Sequence, residues 1–191
     1  TLGEVLKKTK PKDISKIKIL DPACGSGSFL TAAYDKILEH LTKQNSQTSL
    51  FAQFDILKEN IFGVDLDAQA VEIAQLNLLL KVLSQKTKLP TLQNNIMVGN
   101  SLIAKGDEKY KPFDFQADFK EVFEQGGFDV IIGNPPYIKE YTNKSAFDDL
   151  HNSPYYQGKM DIWTLFACMS IDLLKDGGYF SFIAPNNWLT N

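Results

Sequence analysis

The chain has 191 residues, of which 43% are hydrophobic and 23% charged, a composition typical of one globular domain with one sizeable core. Its net charge of -3 at pH 7 excludes a global positive field that would attract nucleic acid, although a local basic patch or a further domain can still do so. The two cysteines, Cys24 and Cys168, form no metal-type pair, and no run approaches the roughly 20 apolar residues of a membrane span. We therefore expect a soluble, cytoplasmic protein without a disulfide framework or a metal site.

The first half of the chain alternates short apolar runs with helical patterns. Residues 17–20 predict a strand that ends at "DPACGSGSFL", and residues 29–41 behind it have helical spacing. The polar segment 42–49 predicts a surface excursion. A second strand, residues 60–64, ends at Asp65. Residues 67–84 then predict an amphipathic helix with apolar positions at Ala70, Val71, Ala74, Leu78 and Val82.

The second half continues the alternation. Its predicted elements are a weaker strand over 95–100, a short helix over 117–125, a strand over 128–134, a helix over 161–175 and, after a stop at Gly177 and Gly178, a strand over 179–185. Residues 138–159 are turn-rich and aromatic, which predicts a long loop over one edge of the sheet. The predicted fold class is therefore α/β, with a doubly wound, mostly parallel sheet and helices on both faces.

The glycine-rich turn after the first strand lies where such sheets bind ligands, at the carboxyl ends of the strands. Gly25 and Gly27 permit a sharp turn and a close approach to a ligand, although a plain tight turn has the same composition. The dinucleotide fingerprint GxGxxG is not matched, because Leu30 stands at its third glycine position. This mismatch argues against a nicotinamide oxidoreductase.

An acid follows the second strand, at the position where a ribose-binding site needs one. One carboxylate can accept hydrogen bonds from both the 2′ and 3′ hydroxyls, and Asp65 occupies this position. The alternative is that Asp65 or Asp67 serves only as the N-cap of the next helix. We assign the cap to Asp67 and the ribose to Asp65.

The tetrapeptide "NPPY" directly follows the strand over 128–134. Pro135 and Pro136 remove two N–H donors, so the Pro135 carbonyl and the side-chain oxygen of Asn134 form a rigid pair of acceptors. Such a pair suits a planar exocyclic amine, which it can orient toward an electrophilic methyl group without acting as a base. Tyr137 offers a flat ring for stacking. The alternative is a Pro-Pro turn that ends a strand, with Tyr137 packed in the core.

These motifs occur in a family-specific order. The stretches "DPACGSGSFL", "GVDLDAQAVEIAQLNL", "GNSL" and "IIGNPPYI" resemble the S-adenosylmethionine-dependent adenine-N6 DNA methyltransferases of the gamma motif order. The block "GKMDIWTLFACMSIDLLKDGGYFSFIAPNNWL" further resembles the modification portion of type IIG restriction-modification enzymes. The resemblance implies a Rossmann-like methyltransferase fold, S-adenosyl-L-methionine as cofactor and double-stranded DNA as partner. It also implies that residues 1–191 are a catalytic domain fragment that ends before the last strands and lacks the target-recognition and nuclease domains.

The resemblance also implies roles for individual residues. By family analogy Asp65 takes the ribose hydroxyls, Leu66 and Phe166 pack on the two faces of the cofactor adenine, and Asn134 with Pro135 holds the target amine while Tyr137 stacks on the flipped base. The residues implied to contact the methionine part of the cofactor are Asp21, Ala23, Cys24, Gly25 and Gly27.

One position departs from the family pattern. The family usually has an acid at the position of Asn100, where it accepts a hydrogen bond from the adenine amine of the cofactor. An amide oxygen can accept the same bond, so we expect this departure to change affinity more than activity.

Other functions remain open on the sequence. NPPY methyltransferases also modify a glutamine amide of a protein or a base of ribosomal RNA, and N4 of cytosine presents an amine similar to N6 of adenine. A non-catalytic cofactor-binding or DNA-binding subunit is a further alternative. The intact Asn134, Pro135 and Tyr137 argue against that last reading.

Overall fold

Five parallel strands form the central sheet in the computed structural model, which describes residues 1–44, 50–83 and 89–186. The strands are β1 (Ile19–Asp21), β2 (Ile61–Asp65), β3 (Ile96–Val98), β4 (Phe128–Gly133) and β5 (Leu174–Phe182). They lie in the order β3-β2-β1-β4-β5, and each neighbouring pair is parallel. Because the chain runs outward from β1 to β3 before it returns to β4, the topological switch point lies between β1 and β4.

Helices connect these strands. In the described part of the chain they are α1 (Leu2–Lys8), α2 (Ser28–Gln44), α3 (Leu50–Asp55), α4 (Ala68–Lys81), α5 (Phe115–Asp118), α6 (Lys120–Phe123) and α7 (Ile162–Leu173). Short 3-10 segments cover Pro11–Lys16, Glu108–Tyr110 and Lys144–Phe147, and a π-helical turn covers Ile56–Asn60. None of the helices in these described ranges is both long and apolar enough to cross a membrane.

Two hydrophobic cores cover the two faces of the sheet. Side chains alternate along β1, so Ile19 packs into a core with α1, α2 and α4, whereas Leu20 packs into the opposite core with α7. A cluster of phenylalanines, which includes Phe113, Phe119 and Phe128, fills this second core with tilted and edge-on ring contacts. The predicted arrangement of helices on both faces is therefore confirmed.

The boundary between α7 and β5 differs from the prediction. The helix ends at Leu173, two residues before the predicted end, and the strand starts at once, with Leu174 paired to Phe128. Pairing then shifts and resumes between Tyr179 and Val130, so the predicted glycine stop is an irregularity within β5. Gly177 has φ +77°, a conformation that few other residues adopt, which makes this irregularity possible.

Two further segments differ from their predictions. The predicted helix over 117–125 is two short helices, because the chain leaves helical geometry at Phe119 (φ −113°, ψ 42°). The first of these is α5, which starts early because the Asp114 side chain accepts N–H bonds from its first turn. In the polar segment, α2 continues to Gln44, and residues 45–49 lie outside the described ranges, as does residue 84 of the predicted second long helix.

The long loop after the NPPY turn has a small core of its own. Its base is closed by two antiparallel hydrogen bonds, from Ile162 N–H to the Ile138 carbonyl (2.9 Å) and from Glu140 N–H to the Met160 carbonyl (3.0 Å). The buried side chains of this core are Phe147, Leu150, Ile162 and Leu165. The loop is thus a packed unit attached to α7, although its sequence has no regular period.

Helix α4 is apolar on two opposite sides. Val71, Ala74 and Leu78 face the first core, as predicted. The opposite side carries three residues that are about half exposed, Ile73, Leu76 and Leu80. The predicted amphipathic character is therefore wrong, because apolar residues occupy both the core side and the solvent side.

Candidate functional site

Four of the predicted site residues follow four neighbouring strands at the carboxyl edge of the sheet. Asp21 and Asp65 end β1 and β2, and Asn100 and Asn134 follow β3 and β4. Because the strands are parallel, these ends lie on the same edge and flank the switch point between β1 and β4. The topology therefore brings together residues that are far apart in the sequence.

The glycine turn links β1 to its neighbour β2. Cys24 N–H donates to the Val64 carbonyl (3.0 Å), and the turn closes with Gly27 N–H on the Cys24 carbonyl (2.8 Å). Gly25 and Gly27 have φ +50° and +82°, so the predicted sharp turn is confirmed. A Cβ at Gly27 would lie 3.0 Å from that of Ala74 on α4, whereas a Cβ at Gly25 would meet no atom within 4 Å. The turn is thus tight toward the helix and open on its other side.

Asp65 is fixed by two backbone donors. Its Oδ2 accepts the Gly25 N–H at 2.8 Å, and its Oδ1 accepts the Asp67 N–H at 2.9 Å. Asp67 is the N-cap of α4, and its Oδ1 accepts the Gln69 N–H at 2.9 Å. The prediction that Asp67, and not Asp65, caps this helix is therefore confirmed. Each carboxylate oxygen of Asp65 retains a second lone pair for a ligand hydroxyl.

Asp21 is a buried acid with few partners. It is 1% exposed, and its Oδ1 accepts the Ala23 N–H at 3.1 Å. Burial raises the pKa of Asp21 to about 7, and the nearby charge of Asp65 acts in the same direction. A cationic ligand group beside this carboxyl would stabilise its ionised form. Burial likewise raises the pKa of the neighbouring Cys24 thiol, so we expect a packing role and no reactivity for this side chain.

A cavity of about 310 Å³ opens at this edge. The predicted residues that line it are Ala23, Asp65, Leu66, Asn100, Pro136 and Phe166. Sequence reasoning missed several other lining residues, chiefly Pro22, Ser101, Tyr110, Ile138, Asp149 and Ile162. Pro22, Ser101, Ile138 and Ile162 stand inside the quoted motifs, so membership of a motif was the available signal, whereas nothing marked Tyr110 or Asp149. A mostly apolar cavity with a few polar groups suits a ligand of nucleoside size.

Three residues of this cavity differ in exposure and in partners. Leu66 is 52% exposed and free to meet a ligand, while Phe166 is 8% exposed and belongs both to the second core and to the cavity wall. The side-chain oxygen of Asn100 accepts the Leu102 N–H at 3.1 Å. A ligand amine would share this oxygen with the backbone, through its second lone pair.

The NPPY turn borders the cavity and does not enclose it. Only Pro136 of the tetrapeptide lines the cavity, and Pro135 is buried while Asn134 is exposed. The Tyr137 hydroxyl contacts Asn134 Oδ1 and donates to the Ile183 carbonyl at 2.8 Å. Tyr137 is 46% exposed, so the alternative that packs its ring in the core is wrong. Asn134 Oδ1 therefore already has a partner in this arrangement, which sequence reasoning did not anticipate.

The described ranges contain no group of three or more His, Cys, Asp or Glu side chains arranged to hold a metal ion.

Comparison with known proteins identifies a family and several relatives of this chain. A family model described as Eco57I restriction-modification methylase matches residues 59–191. The chain is 31% identical to the type II restriction enzyme and methyltransferase RM.Eco57I of Escherichia coli, over 99% of this chain and 22% of that protein. It is 26% identical to the adenine-specific methyltransferase PglX of Streptomyces coelicolor, over 84% of this chain and 15% of that protein. The chain thus spans less than a quarter of the length of either relative.

A solved structure supports the fold. The chain resembles the ATP-dependent type ISP restriction-modification enzyme LlaBIII bound to DNA, with a TM-score of 0.66 and 19% identity, over 95% of this chain and 13% of that one. At this identity the likeness concerns the fold alone. The predicted α/β class with its mostly parallel, doubly wound sheet is confirmed.

Proposed function

Because this chain belongs to the Eco57I restriction-modification methylase family, we propose that it transfers a methyl group from S-adenosyl-L-methionine to the N6 amine of a flipped adenine in DNA. On this proposal residues 1–191 are a methyltransferase catalytic domain, and double-stranded DNA is its partner. The main supporting observation is the cavity of about 310 Å³ at the carboxyl edge, which the NPPY turn borders through Pro136. A cofactor site and a pair of acceptors for a planar amine are thereby adjacent.

The residues around the cavity fit this cofactor. When bound, S-adenosyl-L-methionine supplies an electrophilic methyl group on a sulfonium. Leu66 and Phe166 offer apolar surface for its adenine, and Asp65 retains acceptors for the ribose hydroxyls. The buried Asp21 carboxyl favours a cationic neighbour, which the amino acid part of the cofactor provides. Ala23, Cys24, Gly25 and Gly27 form the turn between these acids.

The NPPY turn is proposed to orient the target amine and supplies no general base. Asn134 Oδ1 and the Pro135 carbonyl accept the two N–H groups of the target amine, which directs the nitrogen lone pair toward the methyl group. The methylated nitrogen would then release its extra proton to water, because neither acceptor takes up a proton at neutral pH. The Tyr137 hydroxyl contacts Asn134 Oδ1, so binding of the amine displaces or shares this contact. The exposed ring of Tyr137 then stacks on the flipped base.

The test combines cofactor binding with product analysis. Calorimetric titration with S-adenosyl-L-methionine is expected to show saturable binding, and NAD serves as the negative control. The full-length protein that contains these residues is then incubated with methyl-labelled cofactor and either an alternating A·T duplex or an alternating G·C duplex. We expect label as N6-methyladenine from the A·T duplex only.

Each alternative has a distinct outcome in this experiment. Label in cytosine contradicts the N6 target, and label only in added ribosomal RNA or protein contradicts DNA as the substrate. Cofactor binding without transfer to any acceptor supports a non-catalytic subunit. Asn134→Ala is the matched control, because it removes one amine acceptor and leaves every lining residue of the cavity in place.

A further inference from the structure

A short turn between β3 and α5 lies beside the cavity and plays no part in the family motifs. It consists of the 3-10 segment Glu108–Tyr110, capped by Asp107, whose Oδ1 accepts the Lys109 N–H at 3.0 Å. The next residue, Lys111, has φ 49° and ψ 56°, which is left-handed backbone. Lysine rarely adopts this conformation, so surrounding contacts must hold it there.

Those contacts join two other parts of the cavity. Lys111 Nζ donates to the Leu66 carbonyl at 3.1 Å, and the Lys111 carbonyl accepts the Asn100 N–H at 2.7 Å. Leu66 follows β2 and Asn100 follows β3, and both line the cavity. Lys111 is therefore a bridge between the two segments that form one end of the cavity.

The same turn contributes a wall. Tyr110 lines the cavity together with Leu66 and Asn100, and Lys109 Nζ lies 4.4 Å from the centre of its ring. This cation–π contact favours one orientation of a half-buried tyrosine. The turn thus combines an aromatic ring of the cavity wall with a lysine that is bonded to Leu66, the residue directly after Asp65.

We propose that Lys111 is a positioning residue for the nucleoside half of the cofactor and that Tyr110 is part of the nucleoside-binding wall. Lys111 acts through Leu66 and Asn100, because it does not line the cavity itself. The inference rests on the proposed function for the identity of the ligand. It adds two residues to the cofactor site and explains why a strained lysine stands at the end of this turn.

Binding measurements on three Lys111 variants test the bridge. Lys111→Met keeps the length of the side chain and removes the donor, and we expect about five- to tenfold weaker binding of S-adenosyl-L-methionine. Lys111→Arg keeps a donor and is expected to stay within about twofold of the unchanged chain. The same factor is expected for 5′-methylthioadenosine, which lacks the amino acid part, because the bridge acts on the nucleoside end.

A matched lysine distinguishes an effect on cofactor binding from an effect on the stability of the protein. Lys159 is the other non-glycine residue with positive φ (52°) in the described ranges, and it does not line the cavity. Lys111→Gly and Lys159→Gly both relieve left-handed backbone, so both are expected to raise the melting temperature of the ligand-free chain. Only Lys111→Gly is expected to weaken cofactor binding, a combination that a merely structural role does not produce.

Two Tyr110 variants test whether the aromatic ring contributes to cofactor binding. Tyr110→Phe keeps the ring and is expected to bind the cofactor within about twofold, whereas Tyr110→Ala is expected to bind about tenfold more weakly. Tyr141→Ala, which removes an exposed ring outside the cavity, is the control and should leave binding unchanged.

The inference is overturned if Lys111→Met binds both ligands as tightly as the unchanged chain, or if Lys111→Arg loses as much as Lys111→Met. It is also overturned if only the intact cofactor, and not 5′-methylthioadenosine, loses affinity. Absence of any cofactor binding to the unchanged chain contradicts the proposed function instead, so the two failures are distinguishable.

Discussion

The backbone N–H of Gly25 donates a hydrogen bond of 2.8 Å to Oδ2 of Asp65. The glycine turn after β1 and the acid after β2 are thereby one unit, because the carboxylate that is expected to bind ribose also holds the turn. A change of Asp65 must therefore act on both the turn and the ligand.

Asp65→Asn is expected to weaken S-adenosyl-L-methionine binding at least about tenfold and to lower the free energy of unfolding by about 1–2 kcal/mol. The physical reason is that the amide NH2 must face either Gly25 N–H or Asp67 N–H, and both are donors. Calorimetric titration and urea denaturation measure the two effects. Asp67→Asn is the control, since asparagine caps helices as well as aspartate does, and both quantities should stay nearly unchanged. Unaltered binding by Asp65→Asn would remove this residue from the ribose site.

Asp21→Asn is expected to stabilise the ligand-free chain at neutral and higher pH. The folded pKa of Asp21 is raised by burial from 3.8 to about 7, so its contribution to stability is fully present below about pH 4 and is lost as the pH rises to about 7. The amide avoids this loss, and the gain above pH 7 is on the order of 4 kcal/mol at most. Urea denaturation of both proteins at several pH values measures it. Equal stabilities above pH 7 would contradict the burial of an ionising carboxyl.

Cofactor binding has the opposite pH dependence. If the ionised Asp21 attracts the cationic part of the cofactor, affinity falls as the pH drops below about 7, by up to about tenfold per pH unit. Asp21→Asn is expected to bind weakly and with little dependence on pH over this window. Titrations from about pH 6 to about pH 8 compare the two proteins. A parallel pH profile in both would assign the dependence to another group.

Tyr137→Phe and Tyr137→Ala are expected to differ in methyl transfer. The phenyl ring still stacks on a base, so Tyr137→Phe should retain transfer within about threefold, although it loses the contacts to Asn134 and Ile183. Tyr137→Ala removes the ring and should reduce transfer at least about tenfold, with cofactor affinity unchanged in both variants. Initial rates on an A·T duplex measure this difference. Equal rates for the two variants would show that the ring does not act on the substrate side.

Gly27→Ala is expected to lower the free energy of unfolding by about 2–4 kcal/mol. The glycine has φ +82°, and an added Cβ would lie 3.0 Å from the Cβ of Ala74 and 3.2 Å from its Cα, which belongs to the rigid helix α4. Gly3→Ala provides the contrast, because this position in α1 has open space and alanine favours a helix, so a gain of about 0.5–1 kcal/mol is expected. Urea denaturation measures both changes, and a Gly27→Ala protein as stable as the unchanged chain would contradict the close approach.

The sheet was predictable from the sequence because its strands and helices alternate and each strand ends at a recognisable polar motif. The same reasoning separated Asp67 from Asp65, since capping follows local rules. Contacts between distant segments were not predictable. The bridge from Lys111 to Leu66 and the contact of Tyr137 with Ile183 depend on how remote residues pack, and neither has a local pattern. The small core of the loop over 138–159 was not predictable either, because its buried residues have no regular spacing in the sequence.

The parallel sheet also determines how the molecule reaches its native state. Ile19 pairs with Ile61 and with Val130, so the central strand joins the others only across long stretches of chain. Such high contact order makes folding slow, since loop-closure entropy is lost before the distant contacts form. Asp21 and Asp65 meet only when β1 and β2 have paired, and Asn134 joins them only when β4 has assembled beside β1. We therefore expect cofactor-binding competence to appear in refolding together with the last cooperative step and not before it.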